Sequence, residues 1–499
     1  MLYFFRRSAL LIVLLAMMRV TAFAQSAVQS PTSDKALPAA IENALARARL
    51  PRDAVSLLVM DVGPVAAPKP RLAWRTQAPM NPASVMKLAT TYAALELLGP
   101  AYTWSTPVYL DGTLHNGSFN GTLDGSVYIQ GQGDPKLVLE RLWLMLRRLQ
   151  GMGIQRIRDD IVLDRSAFAS VVDTDPAEFD GEPLRPYNAS PDALLLNFKS
   201  VLLTFTPDRE AGVARVQYDP PLAGVQMQPQ VALTEGPCGD YRARLKADFA
   251  DPARIRLQGA YPQECGEKVW PVAYADPQTY APRAIQGLWQ QMGGTLGGSA
   301  RYGTVPPRLL AVPAAYSVSS PTLGELIRDI NKYSNNVMAQ QVFLSLGRSI
   351  APLSDPSGNT LSPATFTASR AVLQDWWKAR IDAASVPTFD NGSGLSRHAR
   401  ITAQGLGALL HRAYHGPYMA ELMASLPLSG VDGTLKRSKS PGAHLKTGTL
   451  NGVIARAGYV DAVSGTRYIL VVLVNHPLAN SDAARQCMDA LIDWTTQDE

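Results

Sequence analysis

Asn81-Pro82-Ala83-Ser84-Val85-Met86-Lys87, followed by the apolar run from Leu88 to Leu98, is the stretch on which the reading of this 499-residue chain turns. Asparagine is a good helix N-cap and proline suits a first helical turn. Gly99-Pro100 supplies a stop, so a helix is predicted from about Ala83 to Leu98. Ser84 falls in its first turn, and Lys87, three residues on, shares its face. A serine hydroxyl is a weak nucleophile until a base takes its proton. A lysine can be that base only where burial or a neighbouring cation lowers its pKa. The helix N-terminus adds N–H groups and a positive dipole end beside a reacting carbonyl. Alone, the tetrad decides little. Serine-x-x-lysine arises by chance roughly once in a chain of this length, and an ordinary helix start with a solvated lysine explains it as well.

Outward from this stretch, Ser56–Asp61 and Pro70–Arg75 read as strands, and Pro38–Ala48 as a helix with proline in its first turn. Far along the chain, helical patterns return over 323–331, 335–346 and 363–381. A hairpin follows, Ala455–Val460 and Tyr468–Asn475 about a turn at Ser464-Gly465, and then a last helix. Between these outer parts the texture differs. Residues 101–304 carry short strand patterns such as Ser126–Gln130, Ile161–Asp164, Val201–Thr206 and Arg254–Gln258, punctuated by glycine and proline, with one helix over 137–150. A segment that long must have structure of its own. The predicted fold class is α+β, with 25–100 and 305–499 forming one domain split by a β-rich insertion at 101–304.

Two further motifs carry chemistry. Ser334-Asn335-Asn336 lies at a helix–helix corner, where a hydroxyl and an amide two residues apart can relay a proton and hold a carbonyl. A helix N-cap is its plain explanation. Lys446-Thr447-Gly448-Thr449 lies on a strand before the hairpin. Lysine and threonine there can bind a carboxylate, glycine admits close backbone approach, and a following N–H can serve an oxyanion hole.

In this order, S-x-x-K, S-x-N and K-T-G form the trio of serine β-lactamases and penicillin-binding proteins. Asp390-Asn391-Gly392-Ser393-Gly394-Leu395-Ser396-Arg397 resembles a segment of D-alanyl-D-alanine carboxypeptidases. Tyr128 to Pro135 and Tyr187-Asn188-Ala189 resemble segments of the low-molecular-mass class C penicillin-binding proteins, of the DD-carboxypeptidase/DD-endopeptidase type, whose members carry a large insertion between the first two motifs. The resemblance covers nearly the whole chain after residue 24. It implies a serine β-lactamase/DD-transpeptidase-like domain, an antiparallel sheet flanked by helices. It implies Ser84, Lys87 and Ser334 as catalytic residues, and Asn336, Lys446, Thr447, Gly448 and Thr449 as substrate-binding residues. It implies peptidoglycan stem peptides and cross-links as substrates, β-lactams as covalent inhibitors, and no cofactor. Asp390–Ser396 is expected to buttress the site. The competing readings are a serine β-lactamase and a non-catalytic wall-binding protein of the same fold.

Arg6-Arg7, the apolar run Ala9–Met18 and Ala22-Phe23-Ala24 read as a secretory signal over 1–24, cleaved after Ala24, which predicts a periplasmic protein without a stable membrane anchor. Loss of Arg6, Arg7 and Arg19 with that signal lowers the net charge from +5 to about +2. With no basic stripe interleaved with aromatics, no nucleic-acid partner is expected. Export permits a disulfide, and Cys238 and Cys265 are the better pair; Cys487, on an apolar helical pattern, reads as a buried thiol. His411 and His415 stand four apart on a helical stretch without the glutamate of a zinc motif, and no metal site is expected.

Overall fold

The computed structural model describes residues 37–63, 70–115, 121–170, 174–350 and 362–498. The expected signal over 1–24 and the polar stretch 26–35 lie outside the described residues. The elements that build the outer parts are α1 (Ala39–Ala48), β1 (Val55–Asp61), β2 (Pro70–Trp74), α2 (Lys87–Leu98), α3 (Leu323–Lys332), α4 (Asn336–Ile350), α5 (Phe366–Arg380), α6 (Ala403–His415), β3 (Ala443–Leu450), β4 (Val453–Asp461), β5 (Arg467–Asn475) and α7 (Asp482–Thr496). Elements of the middle region are given by residue range.

The five strands form one antiparallel sheet in the order β3-β4-β5-β1-β2. Its central strands are apolar at nearly every position because both faces are covered, not one. Leu58, Met60, Ile469, Val471 and Leu473 pack on one side with α2, α3, α4 and α6. Val55, Leu57, Val59, Leu470, Val472 and Val474 pack on the other with α1 and α7. Each such fully buried aliphatic side chain contributes about 1.5–3 kcal/mol. Segments more than 400 residues apart in sequence are thereby joined: Val55 opposes Val474 and Asp61 opposes Tyr468. Cys487 lies in the rear core as a free thiol, and burial pushes its pKa up to about 11.

The sequence-predicted helix from Ala83 is broken at its start. Ala83–Met86 is a 3-10 turn, and the α-helix begins only at Lys87. The cause lies in the backbone: Ala83 is left-handed (φ 46°), and Asn81 Oδ1 accepts its N–H at 2.8 Å. The sequence-predicted hairpin is in turn two strands of a three-stranded meander, because Lys446-Thr447-Gly448 belongs to β3, paired along its length with β4.

The middle region holds a seven-stranded sheet, a five-stranded sheet and a small three-stranded one. The seven-stranded sheet includes Tyr316–Ser319, beyond residue 304, paired with Ser105–His115. Both larger sheets and the helices Leu139–Gly151 and Pro277–Gln291 share one core. Cys238 and Cys265 are joined as a disulfide.

This region meets the outer part along α4. The Gln341 side chain accepts the Asp192 N–H at 3.0 Å and donates to the Asp192 carbonyl at 2.8 Å. Trp104 Nε1–H donates to Ser345 Oγ at 2.8 Å, and Gln341 Nε2–H also to the Asp134 carbonyl at 3.4 Å. The stretch Tyr128–Pro135 singled out in the sequence therefore ends at the junction between the insertion and the helix that begins at Asn336. Among the described residues no helix is long and apolar enough to cross a membrane.

Candidate active site

Three motifs converge where the front end of α2, the α3–α4 corner and β3 meet. Ser84 sits on the 3-10 turn, half-buried. The turn is pinned from two sides: Asn81 N–H donates to Asn475 Oδ1 at 2.8 Å, Asn475 Nδ2–H donates to the Asn81 carbonyl at 3.0 Å, and Asn81 Nδ2–H donates to the Ser396 carbonyl at 2.9 Å. Leu445 packs in the rear core, so Lys446 and Gly448, of opposite parity on β3, face the helices. A Cβ on Gly448 would lie 2.4 Å from the Pro82 carbonyl oxygen and 3.1 Å from Ser84 N, so only glycine lets strand and turn approach this closely.

Lys87, on the first turn of α2, is fully buried. Its Nζ lies 2.9 Å from Ser84 Oγ, 2.6 Å from Asn336 Oδ1 and 2.6 Å from the Ser393 carbonyl oxygen. Burial, and then the charge of Lys446, holds its pKa well below the usual lysine value. Two of the three neighbours are oxygens that only accept. A neutral amine has two N–H groups and one lone pair, so with its hydrogens directed at Asn336 and Ser393 the lone pair is left for the Ser84 hydroxyl.

Ser334, at the α3–α4 corner, is left-handed (φ 58°). Non-glycine residues in this region cost about 1–3 kcal/mol and persist only where their surroundings hold them. The Lys446 amine, fully buried, donates to Ser334 Oγ at 3.0 Å and to the Thr447 carbonyl at 2.7 Å. Burial lowers its pKa to about 7. Asn335 serves the helix-start role, its Oδ1 accepting the Met338 N–H at 3.0 Å, which leaves Ser334 and Asn336 to the groove. Asn336 Nδ2–H donates to the Tyr187 carbonyl at 3.2 Å, fixing which end of the amide faces Lys87. Thr447 is half-buried and Thr449 exposed on the same strand.

Ser84, Lys87, Ser334, Asn336, Lys446, Thr447 and Gly448 thus meet in one groove, and Thr449 lies exposed further along β3. Three partners in it have no side-chain signature: the carbonyls of Ser393 and Tyr187, and Thr434, whose hydroxyl lies 2.7 Å from that of Thr447. The D-N-G-S-G-L-S and Y-N-A segments marked the first two neighbourhoods; nothing marked Thr434. A cavity of about 290 Å³ adjoins the groove between 174–189 and 390–398, with Glu178, Gln340, Asn391 and Arg397 in its wall. His411 and His415 lie elsewhere, ring against ring, with Nε2 atoms at the carbonyls of Val62 and Gly63.

The sequence matches the profile of the D-Ala-D-Ala carboxypeptidase 3 (S13) family over residues 37–498. The chain belongs to this family of serine peptidases. This S13 family member is 27% identical over 429 residues to the D-alanyl-D-alanine carboxypeptidase of Actinomadura sp. strain R39, covering 81% of this chain and 75% of that one. It is 24% identical over 403 residues to D-alanyl-D-alanine carboxypeptidase DacB of Haemophilus influenzae, covering 79% and 80%. The crystal structure of penicillin binding protein 4 (dacB) from H. influenzae superposes with a TM-score of 0.68 at 20% identity, over 92% of this S13 chain and 99% of that one, so the two share a fold.

Proposed function

We propose that this S13 enzyme hydrolyses D-Ala-D-Ala bonds of peptidoglycan stem peptides, and DD cross-links, through an acyl-enzyme on Ser84. The observation that carries the assignment is the set of contacts at Lys87: a buried amine of lowered pKa with two acceptors and the Ser84 hydroxyl around it. Ser84 Oγ attacks the carbonyl carbon of the penultimate D-alanine while Lys87 takes its proton. Negative charge moves to the carbonyl oxygen, which faces the N–H groups of Ser84 and Thr449. The C–N bond then breaks, and Ser334 relays to the departing amine the proton that Lys87 took from Ser84, so Lys87 is neutral again while Lys446, 3.0 Å from Ser334 Oγ, keeps its charge. The leaving residue's carboxylate sits at Lys446 and the Thr447 hydroxyl, with Thr449 beside it, and Asn336 orients substrate and Lys87. Water attacks the ester, Lys87 takes the water's proton, and Ser84 recovers its own as the ester C–O bond breaks.

A β-lactam opens by the same attack, but its amine stays tethered, so the ester hydrolyses slowly. The solved H. influenzae penicillin binding protein 4 includes a complex with a β-lactam. The acidic and basic walls of the 174–189/390–398 cavity give a stem peptide's polar side chains a place to lie. The leader-like pattern Arg6 to Ala24 supports export to the periplasm, where these substrates are found.

The test is intact-mass detection of a penicilloyl adduct, peptide-mapped to Ser84 and absent in Ser84→Ala, followed by incubation with purified muropeptides. Release of D-alanine from monomers marks carboxypeptidase action, and conversion of dimers to monomers marks endopeptidase action. Adduct formation on another residue, or none, overturns the assignment; rapid turnover of penicillin identifies a β-lactamase instead.

A further inference from the structure

Beyond Thr447 the groove is walled by a segment that the steps above do not use. Residues 427–429 run along the outer edge of β3: Leu445 N–H donates to the Pro427 carbonyl at 3.0 Å and Ser429 N–H to the Ala443 carbonyl at 2.9 Å, with Leu428 opposite His444. The chain then turns back under a partly buried ion pair. Lys332, two residues before Ser334, donates to the Leu426 carbonyl at 2.9 Å and to the Asp432 carboxylate at 2.6 Å. The other Asp432 oxygen accepts the Leu428 N–H at 2.9 Å. The segment is thus tied at once to β3 and to the end of α3, the two elements that carry Lys446 and Ser334. What it presents to the groove is the 3-10 turn Gly433–Leu435, with the exposed Thr434 hydroxyl 2.7 Å from that of Thr447.

A hydroxyl has one proton and two lone pairs, whereas a carboxylate only accepts. If Thr447 spends its proton on Thr434, none remains for a carboxylate; if Thr434 donates to Thr447, the Thr447 proton is free and its bond is strengthened by the one behind it. We infer that Thr434 is a positioning residue of the carboxylate site: its hydroxyl donates to Thr447 Oγ1 and so directs the single Thr447 proton at the carboxylate of the leaving residue. The inference rests on the reading of Lys446 and Thr447 given above and adds a residue that sets selectivity for free C-terminal carboxylates over uncharged acyl donors.

The test compares two donors sharing one acyl group, a peptide ending in D-Ala-D-Ala and the thiol ester of the same acyl-D-alanine with an uncharged thiol. The readout is the ratio of their kcat/KM values, which does not depend on the fraction of enzyme that is folded. Thr434→Val is expected to lower the ratio roughly tenfold, the size of one hydrogen bond to a charged group, mainly through KM for the carboxylate donor. Thr434→Ser, which keeps the hydroxyl, restores it. Lys446→Ala serves as the reference. If Lys446→Ala lowers the ratio and Thr434→Val does not, or if Thr434→Ser fails to rescue it, the inference is overturned and the site reading stands. If neither Lys446→Ala nor Thr434→Val moves the ratio, the carboxylate site itself is misplaced and both fall.

Discussion

The carbonyl oxygen of Ser393 lies 2.6 Å from the Lys87 amine. The D-N-G-S-G-L-S loop therefore meets Lys87, the proposed base, through main chain, and its side chains serve to hold that carbonyl still. Asn391 Oδ1 accepts from the Ser393 N–H and hydroxyl at 3.1 and 2.8 Å, Asn391 Nδ2–H donates to the Leu395 carbonyl at 2.9 Å, and Thr90 Oγ1–H donates from α2 to the Gly392 carbonyl at 2.6 Å. The loop and the helix bearing Lys87 are one unit.

Gly394→Ala tests that unit. Gly394 has φ +77°, and a Cβ there would lie 1.9 Å from the Ala83 carbonyl oxygen, beside the nucleophile. The loop must move, and the Ser393 carbonyl with it. Penicillin acylation is expected to slow by about a hundredfold, with a stability loss of about 1–3 kcal/mol in denaturant titration. Unchanged acylation in a folded variant would remove the loop from the mechanism.

Asn336→Asp tests the protonation state of Lys87. The amide oxygen 2.6 Å from Nζ becomes part of a carboxylate. An adjacent negative charge favours the ammonium form, so the Lys87 pKa rises and the base is lost at neutral pH. The acid limb of the acylation rate against pH should move upward by at least about one unit, since each unit reflects only 1.36 kcal/mol of differential interaction. Asn336→Ala should not produce this shift, because it adds no charge.

Much of the groove is legible in the sequence because the roles proposed for Ser84, Lys87, Ser334, Asn336 and Lys446 belong to side chains whose type and spacing carry the chemistry. The carbonyls of Ser393 and Tyr187 are not, since every residue has one and only the folded backbone says where it points. Thr434 was hidden for another reason: its place depends on the Lys332–Asp432 pair, a contact across 100 residues of sequence. The 3-10 start at Ala83 was hidden by local propensity, since Asn81-Pro82 favours a helix while Gly448, Asn475 and Ser396 together hold the turn that tertiary structure requires. The apolar runs of β1 and β5 mark buried strands, yet the sequence order alone does not say that they are neighbours.

Removing the disulfide separates the stability of the middle region from the chemistry. Cys238 and Cys265 are 27 residues apart, and the chain-entropy account gives about 3–4 kcal/mol for a closed loop of that size. Cys238→Ser with Cys265→Ser should lower the thermal midpoint, while the penicillin acylation rate per folded molecule stays within about twofold, because Cys265 is buried in, and Cys238 packs against, the core of the middle region. A large drop in that rate would show that the cystine also supports the groove.

In the proposed mechanism, the pH dependence of turnover follows from two lysines whose required states differ. Lys87 must be neutral to take the Ser84 proton, and burial together with the Lys446 charge depresses its pKa, so kcat/KM rises with pH as Lys87 deprotonates. Lys446 must be charged to hold a carboxylate, and burial brings its pKa down to about 7, so kcat/KM for a D-Ala-D-Ala peptide falls as pH climbs through that value. An uncharged thiol-ester donor should retain the acid limb and show a weaker alkaline one. Lys446→Gln removes the cation that repels a proton from Lys87, so the Lys87 pKa rises and the acid limb for the uncharged donor moves to higher pH. A limb that stays in place, or moves down, would mean that Lys87 does not feel Lys446 and that its depressed pKa is owed to burial alone.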